Sequence, residues 1–170
     1  MSDPYIKLAN LTLKYYLQTG KSFSLPNDSS KELKNKKAGV FVSYHKGPEL
    51  RGCIGTYLPT QSCIGDEIIS CAIAASHDPR FMPINKSEIN EIKTKIDILS
   101  LPQKAKKDEL NPKKYGIIVK SKDNRTGLLL PDLEGVKTAE QQIEICRQKA
   151  GISPDEPVEL YRFTVERHEE

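Results

Sequence analysis

The sequence predicts an α+β fold, in which helices pack against the faces of a largely antiparallel sheet. Two observations favour this class. Hairpin patterns outnumber strand–helix–strand crossovers, and alternating apolar residues mark short strands that are separated by helical segments. The chain has 170 residues, which suits a single domain over residues 1–170 with an ordinary hydrophobic core.

The first element is a helix, because Asp3 can cap it, Pro4 suits its first turn and Gly20 suits its end. Residues 20–38 contain proline, asparagine, aspartate and a run of lysines, which is typical of a polar connecting segment. The β-branched and aromatic residues of 39–44 predict a strand. A polar turn then leads to a second strand, so this region is expected to form a hairpin.

The middle of the chain continues the same mixture. Ser62 is placed to cap a helix with an apolar inner face, and Pro79 should end it. Ser87 suits the start of a short turn, and the strict alternation over 92–99 predicts a half-buried strand.

The last third predicts a second hairpin over 115–130 and then another helix. Thr138 and Gln141 have the spacing of a capping box, and Gly151 lies where a C-terminal glycine is expected. The alternating residues of 161–166 predict a final strand, which we expect to join the main sheet.

Composition excludes several classes of function. The net charge is only +3, and the lysine clusters lack interleaved aromatic residues, so no nucleic-acid partner is expected. No apolar stretch approaches the roughly 20 residues that span a bilayer, so no membrane association is expected. Four cysteines without secretory features favour reduced thiols and a cytoplasmic location.

The most informative segment is residues 50–55, Leu-Arg-Gly-Cys-Ile-Gly. It places Arg51 beside Cys53, and flanking glycines allow close approach of a ligand or of another backbone. Cys53 is a candidate nucleophile, activated by Arg51 or by His77, which could also act as its general base. The alternative is that Cys53 is a small residue in a crowded strand.

A second cluster, Asp78-Pro79-Arg80-Phe81, follows a predicted helix end. Arg80 and Arg51 could hold a carboxylate or phosphate between them, because guanidinium groups present paired donors to such oxygens. Alternatively, Asp78 pairs with one of these arginines and pins the corner to the hairpin, while Phe81 fills the core. The residues leave both interpretations open.

No metal and no cofactor are expected. The cysteines lack the close spacing of zinc knuckles, and Cys71 and His77 are six residues apart, which does not place them on one helical face. Nucleotide-binding glycine motifs, the nucleophile elbow of hydrolases and the helical zinc motif of proteases are absent from the sequence.

These motifs resemble a known family. The hexamer of residues 50–55 (LRGCIG), the tetrapeptide of residues 78–81 and Gly-Leu-Leu-Leu-Pro at 127–131 are similar to the AMMECR domain family. The stretch from 130 to 151 resembles its prokaryotic branch, the AmmeMemoRadiSam system protein A type.

The resemblance implies an α+β fold in two closely packed lobes, with the hexamer as the active or binding region. It implies association with Memo-type and radical S-adenosylmethionine proteins. Two functions are expected as alternatives: an enzyme that uses Cys53 with Arg51 on a small anionic or acyl substrate, or a non-catalytic interaction or regulatory module. The residues carried over for binding are Gly52, Ile54, Gly55, Asp78, Arg80 and Phe81.

Overall fold

The computed structural model describes residues 3–170; Met1 and Ser2 of the predicted domain lie outside this range. The chain divides into two compact units, one formed by residues 3–99 with 166–170 and the other by residues 100–165. Within residues 3–170, every helix is too short or too polar to cross a membrane. The helices are α1 (Pro4–Thr19), α2 (Lys31–Asn35), α3 (Ile64–Ser76) and α4 (Ala139–Ala150). The strands are β1 (Gly39–Lys46), β2 (Glu49–Gly55), β3 (Ile92–Leu99), β4 (Gln103–Lys104), β5 (Gly116–Ser121), β6 (Thr126–Leu129), β7 (Val158–Phe163) and β8 (Val165–Glu169).

The first unit is a four-stranded sheet in the order β2-β1-β3-β8, with α1 and α3 packed beside it. Val40, Val42 and Tyr44 alternate along β1 and are fully buried in the core. The Tyr44 hydroxyl donates to the carbonyl of Ala72 at 3.2 Å, which ties the strand to α3. One face of this sheet is therefore covered by helices, as the α+β prediction required.

The ends of α1 follow the sequence signals. The Asp3 carboxylate accepts hydrogen bonds from the backbone N–H groups of Tyr5 and Ile6, and Pro4 begins the helix. Gly20 ends it in the left-handed region, with φ of 69°, where a side chain would be strained. The predicted first helix is confirmed.

Residues 20–38 contain more structure than the prediction of a polar connection allowed. Ser30 caps the short helix α2 through its hydroxyl, which accepts from the N–H of Leu33. Leu33 is buried in the core of the first unit. A single apolar residue in a lysine-rich stretch gives no helical periodicity, so the pattern did not reveal this element.

The starts of two further elements differ from prediction by one or two residues. Cys63, not Ser62, occupies the N-cap position of α3, and it makes no capping hydrogen bond there. The Ser62 hydroxyl instead donates to Asp66 at 2.8 Å. Asn85, not Ser87, caps the 3-10 helix Lys86–Glu88.

The second unit is an antiparallel sheet in the order β4-β7-β5-β6, with α4 lying over β5 and β6. The capping box is confirmed, because Thr138 accepts from the N–H of Gln141 while Gln141 accepts from the N–H of Thr138. Gly151 ends α4 with φ of 64°. The hydrophobic core of the second unit contains Ile117, Val119, Leu129, Cys146 and Ile152.

The single predicted final strand is in fact two strands in different sheets. β7 pairs with β5 in the second unit, whereas β8 lies beside β3 in the first, so only β8 joins the main sheet. Between them, Thr164 exchanges hydrogen bonds with Ser100. Apolar and polar residues alternate with a period of two over residues 161–166, across the end of β7 and the start of β8, so the sequence pattern does not show where one strand ends and the next begins.

Candidate functional site

The candidate site lies on β2, the edge strand that carries the hexamer. In the β1–β2 hairpin Cys53 faces Ser43, and the two side chains approach closely enough for the Ser43 hydroxyl to lie 3.1 Å from the Cys53 sulfur. Among residues 3–170 this hydroxyl is the sulfur's hydrogen-bond partner. The Cys53 side chain is half-buried.

Asp78 and Arg80 bind the backbone of Cys53 from the open side of the strand. The Cys53 N–H donates to Oδ2 of Asp78 at 3.0 Å, and the Cys53 carbonyl accepts from Nη2 of Arg80 at 2.9 Å. This arrangement supplies one acceptor and one donor, as a neighbouring strand would, so the edge is closed to further pairing at this residue. We call Asp78, Arg80 and the backbone of Cys53 the edge clasp.

The clasp is held together by the buried carboxylate of Asp78. Oδ1 accepts from the backbone N–H and Nε of Arg80, both at 3.1 Å, and Oδ2 accepts from Nη2 at 2.7 Å. These bonds to Arg80 hold the pKa of the Asp78 carboxyl well below its usual range. The tetrapeptide therefore pins its corner to the hairpin, with Asp78 paired to Arg80.

Gly52 makes the clasp possible by allowing the strand to approach the end of α3. A Cβ atom at Gly52 would lie 2.0 Å from the carbonyl oxygen of Ala75, which no side chain tolerates. Asp78 follows Ala75 by three residues, so this close approach brings its carboxylate to the strand. Ile54 packs against the core, and Gly55 faces Phe41 on β1.

Arg51 points to a different partner. Its guanidinium forms an ion pair with Glu88 and donates to the carbonyl of Met82 at 3.2 Å. Both side chains of the ion pair are largely buried, so the interaction fixes the segment around 82–88 against β2.

Burial dominates the electrostatics of Cys53. It raises the pKa of the thiol, while the Ser43 hydrogen bond and the positive charge of Arg80 act in the opposite direction with smaller effect. The expectation that neighbouring positive groups make this thiol acidic is therefore not met. The neutral thiol is the favoured form.

The structure does not bring His77 to Cys53 in a hydrogen bond. The His77 ring stacks on Tyr16 of α1, with centroids 5.8 Å apart, and its Nδ1 lies 3.4 Å from the Ser76 hydroxyl. General-base assistance by His77 therefore has no geometric support in the described chain.

Arg80 is the exposed member of the site. Its side chain is 61% exposed although Nε and Nη2 are held by Asp78 and Cys53. Within residues 3–170 its Nη1 has no hydrogen-bond partner. Phe81 lies beside the guanidinium, with its ring centroid 5.4 Å from Cζ. A fixed guanidinium with a free edge can bind an anion without reorganising.

Sequence reasoning missed Ser43 and Glu88. Alternation along β1 places the Ser43 side chain on the same face of the strand as Phe41 and His45. Which residue of β2 lies opposite Ser43 depends on the register of the hairpin, and that register makes it Cys53. Glu88 reads as an ordinary acidic residue of a polar turn, and nothing in the sequence pairs it with Arg51. Over residues 3–170, no group of three or more His, Cys, Asp or Glu side chains is arranged to hold a metal ion.

Comparison with known proteins places the chain in a family. The AMMECR1 family model matches residues 6–168. The chain belongs to the AMMECR1 family. A Thermotoga maritima protein is 48% identical to it over 169 residues, covering 97% of each chain.

Two other relatives extend this comparison. The crystal structure of an uncharacterised Pyrococcus horikoshii protein superposes with a TM-score of 0.89 at 30% identity, over 98% of this AMMECR1-family chain and 89% of that one. A Clostridium acetobutylicum protein is 46% identical over 170 residues, which cover 99% of this chain. The chain spans only 36% of the length of that clostridial relative.

Proposed function

We propose that this AMMECR1-family chain is a binding module that recognises a small anionic ligand, without covalent chemistry, at the surface formed by Cys53, Arg80 and Phe81. The observation that carries the proposal is the Arg80 side chain, which is fixed by the edge clasp yet 61% exposed. We call these three residues the anion surface.

Fixing the guanidinium in advance favours binding. An arginine normally loses side-chain freedom when it binds a carboxylate or phosphate, and this loss weakens the complex. Here the buried carboxylate of Asp78 has already ordered Arg80, with Nη1 left for a ligand oxygen. The neutral thiol of Cys53 adds a weak donor beside it, without the negative charge that would repel an anion.

The proposal is tested by titrating the protein with inorganic phosphate and with acetate while recording amide chemical shifts. We expect saturable shifts at Cys53, Arg80 and Phe81, and a loss of affinity of about tenfold in Arg80→Gln. Lys86→Gln, which removes an exposed positive charge elsewhere in the same unit, is the control and should bind as the wild type does. Equal affinities for all three proteins would contradict the proposal.

A second candidate function is covalent catalysis by Cys53 on a small anionic or acyl substrate. It is favoured by the half-buried position of Cys53, where the Ser43 hydrogen bond and the Arg80 charge both act to stabilise a thiolate. In this candidate the sulfur attacks an acyl carbon and the thiol proton leaves with the departing group. The resulting thioester is then hydrolysed by water. Arg51 is paired with Glu88, so the positive charge available to the thiolate in this candidate is that of Arg80.

An activated acyl ester separates these candidates. Incubation with p-nitrophenyl acetate at neutral pH, followed by peptide mass spectrometry, should leave Cys53 unmodified if the surface only binds anions. Acetylation confined to Cys53, and lost in Cys53→Ala, would favour the catalytic function instead.

We also propose that the domain works together with Memo-type and radical S-adenosylmethionine proteins in the cytoplasm. Support comes from the family resemblance and from the clostridial relative, in which this domain is joined to additional sequence. The four unpaired cysteines fit a reducing compartment. Co-expression with the Memo-type and radical proteins of the same genome should give co-elution on size exclusion; separate elution would count against the assembly.

A further inference from the structure

A cavity in the second unit is lined by residues other than those of the anion surface. It has a volume of about 610 Å³, within the usual range for small-molecule sites. It forms because α4 lies over β5 and β6, which leaves the same face of β7 partly uncovered. The apolar residues of its lining are Ile143, Ile152, Pro154, Val158 and Leu160.

Arg147 brings a fixed positive charge to this apolar lining. Its Nη1 donates to the carbonyls of Ser153 and Glu156, at 2.6 and 2.9 Å. Among residues 3–170 its Nε and Nη2 donors have no hydrogen-bond partner. The side chain lines the cavity and its residue is half-buried, so its charge is less screened than that of an exposed lysine.

The other charges of the lining do not cancel Arg147. Glu140 is paired with Lys107 at 3.0 Å, and this pair is exposed. Glu144 is exposed, and its carboxylate accepts a long contact of 3.4 Å from Gln148. Arg147 is therefore the least solvated charged group that faces an apolar surface here, and it still has donors to offer.

We propose that this cavity binds an apolar carboxylate, with the hydrocarbon against the apolar lining and the carboxylate on Nε and Nη2 of Arg147. Both parts of the ligand are required. The hydrocarbon removes exposed apolar area of Val158 and Leu160 from water. The carboxylate matches the paired donors of a guanidinium, which is already ordered by two backbone carbonyls.

The test uses three probes that share an eight-carbon chain and differ only in the head group: octanoate, octan-1-ol and octylamine. Amide chemical shifts are followed in the full chain at constant ionic strength. We expect octanoate to shift residues of 143–160 and to bind about tenfold more tightly than octan-1-ol. Octan-1-ol binding as tightly as octanoate, tighter binding of octylamine, or octanoate shifts confined to other residues would overturn the proposal.

Variants of the protein then test whether Arg147 is the side chain that binds the carboxylate. Arg147→Gln should reduce octanoate affinity about tenfold and leave octan-1-ol binding unchanged, and Arg147→Lys should restore part of the loss. Glu144→Gln changes an exposed side chain and should leave octanoate binding intact or strengthen it, even if Arg147 variants fold poorly. Weaker octanoate binding in Glu144→Gln would contradict the assignment. Arg80→Gln should leave the octanoate-induced shifts of residues 143–160 unchanged, which separates this site from the anion surface.

Discussion

Asp78→Asn is the substitution that tests the edge clasp most severely. The asparagine keeps the size and shape of the side chain but replaces one acceptor oxygen with an amide that can only donate. At Oδ2 the carboxylate accepts from the Cys53 N–H and from Nη2 of Arg80, so the amide would face two donors. If the asparagine amide is rotated by half a turn, its NH2 group takes the place of Oδ1 and again faces two donors, the backbone N–H and Nε of Arg80.

The loss of stability in Asp78→Asn depends on which of the groups that donate to Asp78 can be hydrated in the variant. Hydrogen bonds to charged groups contribute about 1.5–3 kcal/mol, and an unsatisfied buried donor costs about 1–3 kcal/mol. Arg80 is 61% exposed and can be resolvated, whereas the Asp78 side chain is fully buried. We therefore expect Asp78→Asn to lower the free energy of unfolding by about 2–4 kcal/mol.

Urea unfolding at pH 7 and in acid measures this cost. The folded pKa of Asp78 is depressed, so its stabilisation is complete above the unfolded-state value of about 3.9 and is lost as the pH falls towards the folded value. The difference between wild type and Asp78→Asn should therefore shrink below about pH 4. Asp28→Asn, at an exposed position, is the control. A difference below about 0.5 kcal/mol at pH 7 would refute the clasp as a stabilising element.

Three further predictions follow from the same unit. Gly52→Ala should destabilise by about 3 kcal/mol or more in urea unfolding, because the new methyl group meets the Ala75 carbonyl; wild-type stability would contradict the close approach. Glu67 accepts two hydroxyls on Oε1 and two backbone N–H groups on Oε2. Glu67→Gln should cost only about 1 kcal/mol, because hydroxyls can reverse to accept, whereas Glu67→Met should cost about 3 kcal/mol; equal costs would argue against this network. Ser43→Ala should slow alkylation of Cys53 at a fixed pH, since a hydrogen bond that favours the thiolate is lost; an unchanged rate would exclude that role.

Local chemistry made much of the fold predictable. The Asp3 cap and Gly20 stop of α1, and the Thr138–Gln141 capping box of α4, depend on residues within a few positions of one another. Helix α2 was missed because its stability rests on one buried leucine, Leu33, and not on a periodic face. Such an element depends on tertiary packing, which a local pattern does not contain.

The sequence predicted which residues form the candidate site better than it predicted the contacts that these residues make. The sequence offered a pairing of Asp78 with Arg51 or Arg80 as one of two interpretations, and the structure shows that the partner is Arg80. It could not foresee that Arg51 would pair with Glu88, 37 positions away, or that Ser43 would reach the sulfur. The raised pKa of Cys53 likewise depends on burial, which arises only when the sheet is assembled.

The pKa of the Cys53 thiol separates non-covalent binding from nucleophilic catalysis, because a thiol whose pKa is raised stays neutral beside an anion, whereas an activated nucleophile is ionised near neutral pH. The rate of iodoacetamide alkylation at Cys53, followed by peptide mass spectrometry across pH and compared with glutathione, reports the thiolate fraction. We expect an inflection at higher pH than that of glutathione. An inflection at lower pH, with rapid alkylation at neutrality, would contradict it and support Cys53 as a nucleophile.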